Sequence, residues 1–161
     1  MSWSILNFTG EEIIKLATEI EKRGREFYLK AAQKVDDPQA KGMLLYLADE
    51  EERHISDFEC IGADMKEQIT PNEAYVGEYG DYLKAIIDNH VFNLNNIDDL
   101  VKDMKVFREA LAVALRFEKD SIMIFQELYN AADAKGKEVL SKLIEEEKEH
   151  IRRISKLHRL H

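Results

Sequence analysis

Apolar residues recur along this chain with the period of a helix, in four long runs. In the first, Ile13, Ala17, Ile20, Gly24, Phe27 and Ala31 fall three or four residues apart, the spacing of one buried helical face. Thr9 followed by Glu12 has capping-box spacing and predicts where that helix starts. Asp36-Asp37-Pro38 predicts a break, with Asp37 capping the second helix and Pro38 in its first turn. The second run carries Leu44, Leu47, Phe58 and Ile61 and ends near Gly62 or a turn later. Thr70-Pro71-Asn72, Gly77, Gly80 and Asn93 to Asn96 then interrupt the pattern, and a short helix is expected around Tyr82 to Asn89. A third long helix is expected to begin between Asp98 and Asp103 and to run through Leu111, Leu115, Ile122, Phe125 and Leu128 to about Ala132. The fourth carries Leu140, Leu143, Ile151, Ile154 and Leu157. The predicted helices cover about 10–35, 38–64, 103–132 and 135–159, with a crossover at about 65–102, in a single domain over 1–161.

The connections predict the packing. Tight joints make the first pair of helices one antiparallel hairpin and the last pair another. A helix of about 27 residues is roughly 40 Å long at about 1.5 Å per residue. The middle connection can therefore run back along the bundle, or span two chains that exchange hairpins. The fold class is all-α, a four-helix bundle of two hairpins joined by a long crossover.

Polar residues interrupt the apolar stripes at matching places. The second helix reads Leu44, Leu47, Glu51, His54, Phe58, Ile61, and the fourth reads Leu140, Leu143, Glu147, His150, Ile154, Leu157. Each stripe thus sets a Glu and a His one turn apart on the inward face. Glu21 sits between Ala17 and Gly24, and Glu118 between Leu115 and Ile122. Thirty residues separate Glu21 from Glu51, and 29 separate Glu118 from Glu147, so the second half of the chain repeats the first. Four carboxylates in one core repel each other and are costly to bury. Two divalent cations would balance their charge, and two imidazoles would add neutral ligands. Glu21, Glu51, His54, Glu118, Glu147 and His150 are the expected metal ligands. Oxygen and nitrogen donors without thiolate suit two iron ions or manganese, with zinc as an adventitious occupant.

Charge and composition narrow the partners. The formal net charge is −9, which disfavours nucleic acid and anionic membrane. No stretch approaches the roughly 18 apolar residues of a membrane span, and no signal peptide is expected from Met1 to Gly10. The single cysteine, Cys60, excludes a Cys₄ site, suits a reducing cytoplasm, and is expected to be a small packed hydrophobe. His90, His158 and His161 are expected at the surface. Glu19, Glu26, Glu50, Glu52, Glu145, Glu146 and Glu149 are expected on solvated faces with partners four residues on. Tyr28, two turns from Glu21, either packs in the core with a satisfied hydroxyl or donates a hydrogen bond to a ligand carboxylate. The repeat-equivalent residue is Phe125.

These residues resemble the rubrerythrin family of ferritin-like diiron-carboxylate proteins. The likeness lies in Glu21-Lys-Arg-Gly-Arg-Glu-Phe-Tyr28, Ala48-Asp-Glu-Glu-Glu-Arg-His54, Phe117-Glu118-Lys119-Asp120-Ser121 and Glu146-Glu147-Lys148-Glu149-His150. It covers roughly residues 9 to 61 and 104 to 157. The resemblance implies a ferritin-like bundle with Glu51 and Glu147 bridging two irons, Glu21 and Glu118 terminal, and one His on each metal. It implies reduction of hydrogen peroxide, or of dioxygen, by a diiron oxidoreductase involved in oxidative stress. Two departures stand out. No paired CxxC motif follows, so the electron donor is expected to be a separate protein such as a rubredoxin. Ser121 stands where many relatives carry a further carboxylate, so ligand exchange at that position is not expected. A homodimer is expected. The alternatives are a ferroxidase or iron-storage protein in a large cage, and a non-catalytic metal-binding helical module.

Overall fold

The computed structural model describes residues 10–65, 78–94, 96–102, 104, 107–132 and 134–160, and these are helical apart from short joints, with no strand among them. Helices α1 (Gly10–Lys34) and α2 (Pro38–Met65) form one antiparallel hairpin. Asp37 starts α2: its carboxylate accepts from Ala40 N at 2.7 Å and its carbonyl from Lys41 N at 2.9 Å, an N-cap that satisfies donors the helix leaves open. The predicted Thr9–Glu12 cap lies outside the described residues. Helices α6 (Phe107–Ala131) and α7 (Ala134–Leu160) form the second hairpin. The fold is a ferritin-like helical bundle.

Three short helices occupy the crossover: α3 (Glu78–Asp88), α4 (Val91–Leu94) and α5 (Ile97–Lys102). They pack along the α1–α6 side, α3 on α6, α4 on both, and α5 on α1. Polar contacts fix this strap among the described residues. Arg23 donates to the Phe92 carbonyl, Val91 N donates to the Asp120 carboxylate at 3.0 Å, and Lys30 pairs with Asp98. Because α5 lies against the end of α1, α6 starts where α1 finishes and runs antiparallel to it.

The third long helix starts later than the apolar pattern predicts. Asn96 caps α5 by accepting from Asp98 N at 3.0 Å. Ile97 and Val101 are buried there. Met104 N then bonds back to the Val101 carbonyl at 3.3 Å, a tighter turn that ends the helix. The predicted first turns of one long helix are therefore a separate element lying on α1, and α6 begins at Phe107.

The core is the shared inner face of the four long helices. On α6 its central line is Leu111, Ala114, Glu118, Ser121, Phe125 and Leu128, all buried. Leu115 and Ile122 flank that line and are only partly buried, as is Ile151 on α7. Small residues on the line let α1 and α6 approach. A Cβ on Gly24 would lie 2.3 Å from Phe117 Cζ, so the ring fills the space glycine leaves. No helix among the described residues is long and apolar enough to cross a membrane.

Candidate metal centre

All six residues expected as ligands turn inward and meet. Glu21, Glu51, His54, Glu118 and Glu147 have no exposed surface, and His150 has 1%. The periodicity explains this: each occupies a place in its stripe that an apolar residue takes one turn earlier or later. Their donor atoms fall into two overlapping groups, each with atoms within 4.8 Å of one another. One is Glu21, Glu51, His54 and Glu147; the other is Glu51, Glu118, Glu147 and His150. Glu51 and Glu147 are common to both.

Hydrogen bonding alone does not satisfy this arrangement. His54 Nδ1 faces three carboxylate oxygens, of Glu147 at 2.8 Å, Glu21 at 3.0 Å and Glu51 at 3.1 Å. One ring nitrogen carries at most one proton, so at most one of the three can be served. His150 Nδ1 is likewise shared between Glu147 at 3.2 Å and Glu118 at 3.4 Å. Glu21 Oε1, Glu51 Oε1 and Glu147 Oε1 are buried without an aligned hydrogen-bond partner. Converging lone pairs with too few protons are what cations coordinate, and oxygen with imidazole nitrogen fits two divalent ions. The donor set therefore fits the metal pair that the sequence predicts.

The electrostatics of the metal-free chain agree. Burial first, then the charge of Glu21, pushes Glu51 well above the usual carboxylate range. Burial and the charge of Glu147 do the same to Glu118. Burial opposes charging of the two histidines, but the carboxylates win. Glu147 and Glu146 hold His54 well above an ordinary imidazole, and Glu118 and Glu147 hold His150 up to about 10. Glu147, despite its burial, is pulled below the usual range by its hydrogen bond with Glu118 and by His54. Protons thus take the place of cations, and metal binding must displace them.

Tyr28 resolves the choice left open by the sequence. Its hydroxyl donates to Glu118 Oε1 at 2.5 Å, across from α1 to α6. Burial, then the charges of Glu118 and Glu51, push the phenol well above its ordinary value, so it keeps its proton. Phe27 and Phe117 hold the ring at centroid distances of 5.5 and 5.9 Å.

Several expectations fail at the margin of the centre. Glu50 and Glu146 do not lie on open solvated faces. Each turns toward the histidine of the other hairpin: Glu146 Oε2 lies 3.3 Å from His54 Nε2, and Glu50 Oε2 lies 3.7 Å from His150 Nε2. The residue before each ligand Glu faces the neighbouring helix, where it can orient that ring. The remaining surface carboxylates do pair with cations, but at three residues or across helices as well as at four. Examples are Glu145 with Lys148 at 2.6 Å and Glu52 with Arg25 at 2.6 Å. His90, in the strap between α3 and α4, is buried rather than exposed and packs on Phe92 and Phe117. Burial, then Arg116 and Arg23, depress its imidazole to about 3. Cys60 is exposed rather than packed, because it falls off the Phe58–Ile61 stripe of α2. His161 lies outside the described residues.

Comparison with known proteins bears on the fold and the family. No curated protein matches the chain. Among solved structures, the chain is similar to a protein of Thermotoga maritima assigned to the ferritin-like diiron-carboxylate proteins. The TM-score is 0.73 at 21% identity, covering 95% of this chain and 96% of that one. At that identity the likeness speaks for the fold. The rubrerythrin family model matches residues 12–102, more than half of the sequence. The chain belongs to the rubrerythrin family.

Proposed function

We propose that this protein is a two-iron redox protein that reduces hydrogen peroxide to water with electrons from a separate donor protein, a small rubredoxin-like carrier. The observation that carries the reading is the sharing of Glu51 and Glu147 between both donor groups. Two ions held side by side are well served by carboxylates common to both and a private set for each. Glu51 and Glu147 would hold both ions, Glu21 with His54 one, and Glu118 with His150 the other. Iron bound there would supply two electrons, one from each ion.

The chain's own residues set the conditions for that chemistry. Four buried carboxylates bring two divalent ions to charge balance, and the apolar turns above and below exclude bulk water. Tyr28 holds a proton at its Oη and presents it to Glu118 Oε1. Reduction of peroxide consumes two protons with two electrons, and the Tyr28–Glu118 pair stores one of those protons beside the centre. Glu146 and Glu50 stand behind the two imidazoles and favour the ring tautomer whose bare Nδ1 faces the centre.

The test is anaerobic. Protein loaded with ferrous iron should consume added peroxide in proportion to bound iron, and reduced rubredoxin should restore the ferrous state for further cycles. Protein loaded with ferrous iron that leaves peroxide unconsumed would sink the proposal.

A further inference from the structure

Ser121 sits on the central line of α6, one turn beyond Glu118, and is fully buried. Its hydroxyl has no hydrogen-bond partner. A serine or threonine inside a helix usually returns its hydroxyl to the carbonyl four residues back. Thr18 does this to Ile14 at 2.8 Å and Ser56 to Glu52 at 3.3 Å. Ser121 does not, and leaving a hydroxyl buried and unpaired is costly.

The internal repeat shows where this hydroxyl lies relative to the centre. Glu21 corresponds to Glu118, Ile20 to Phe117, Gly24 to Ser121, and Tyr28 to Phe125. On the Glu118 side, Tyr28 supplies a donor to the carboxylate, and the Phe117 ring fills the slot at Gly24. On the Glu21 side the corresponding ring is Phe125, which carries no hydroxyl. There Glu21 Oε1 is buried without a partner, and the repeat sets Ser121 in the place of Gly24 and Ile20 in the place of Phe117. Two buried polar atoms, Glu21 Oε1 on α1 and Ser121 Oγ on α6, are therefore without partners, and the repeat assigns both to the Glu21 half of the centre.

The geometry points to Ser121 as the hydrogen-bond donor to a small anion of oxygen or nitrogen bound in the Glu21–His54 half of the centre. This rests on the two-metal reading above and names the ligand-binding residue within it. Full burial of Ser121 and of the ligand carboxylates favours a small ligand over a large one. Metal cations beside it select an acceptor with negative charge. Peroxide in its deprotonated form meets both conditions.

Ser121→Ala tests this in two states of the protein. In the metal-free chain the substitution removes an unpaired hydroxyl, so Tm should rise by about 2–4 °C. In the iron-loaded, oxidised protein, with iron content unchanged, azide should bind about 3- to 10-fold more weakly, the loss of one hydrogen bond. Ser121→Thr, which keeps the hydroxyl, should retain azide affinity within about 2-fold of the parent chain. A fall in the Tm of metal-free Ser121→Ala would show that the hydroxyl has a partner inside the fold, and would overturn the inference. So would unchanged azide affinity in a variant that holds its iron. A parent chain that takes up no iron overturns the two-metal reading and this one together, so iron content is measured first.

Discussion

Replacing Tyr28 with Phe removes one hydroxyl and little else. The ring keeps its packing against Phe27 and Phe117, and Phe125 already occupies the equivalent place in the other half of the bundle. What is lost is a single hydrogen bond of 2.5 Å between two fully buried groups. In the metal-free chain Glu118 is held toward its neutral form, and a buried bond of that kind contributes about 1–2 kcal/mol. For a chain of this size that is a fall of roughly 2–8 °C in Tm. In the loaded protein Glu118 is a charged ligand, and the bond is about twice as strong. Tyr28 touches only one of the two donor groups, so the effect on metal should be uneven. The Glu118–His150 half should lose affinity by about 10- to 100-fold, and the Glu21–His54 half should keep it. Anaerobic titration with ferrous iron, followed by circular dichroism, reads both halves. The parent chain should fill in one sharp phase and Tyr28→Phe in two. Equal weakening of both halves, or no change in Tm or titration, would refute the reasoning. The converse variant, Phe125→Tyr, brings the same donor toward Glu21 and should tighten that half.

Other consequences follow from the same geometry. In the metal-free chain, Glu51, Glu118, His54 and His150 all have raised pKa values. Their stabilisation is complete below the unfolded pKa and is lost as pH rises through the folded one. For His150 that window runs from 6.5 to about 10. Thermal scans should therefore find metal-free protein several degrees less stable at pH 9 than at pH 6. Loaded protein should not show this loss, because metal binds the deprotonated ligands. A flat profile without metal would contradict the charge account. Gly24→Ala places a methyl group into the Phe117 ring and should destabilise the bundle by about 1–3 kcal/mol despite alanine's better helix propensity. A neutral result in chemical denaturation would show that the ring is free to move. Cys60 should react with a thiol reagent in the folded state as fast as in denaturant, and Cys60→Ser should leave iron content unchanged.

The centre was legible because it lies on the helical stripes themselves. Glu51, His54, Glu147 and His150 interrupt apolar runs at three- and four-residue steps, and those steps determine which face is buried whatever the packing around it. Glu146 and Glu50 were misread for a related reason. They stand one residue off the stripe, and only the close approach of α2 to α7 brings them to the histidine of the opposite hairpin. That approach is a tertiary distance with no period in either helix. His90 was misread because its burial comes from a strap too short to show periodicity, held by Arg23 and Asp120 from distant helices. The flanking Val91 and Phe92 were the one local hint. Cys60 could have been placed correctly, since it lies two residues past Phe58 and therefore on the far side of α2.

The most direct test of the central claim is the iron stoichiometry of the parent chain beside His54→Ala, by anaerobic ferrous titration and metal analysis. Glu51 and Glu147 shared between two ions predict about two irons per parent chain. They predict about one in the variant, which loses a ligand private to one half. A parent chain that binds no iron, or a variant that keeps the full complement at the same affinity, would contradict the account.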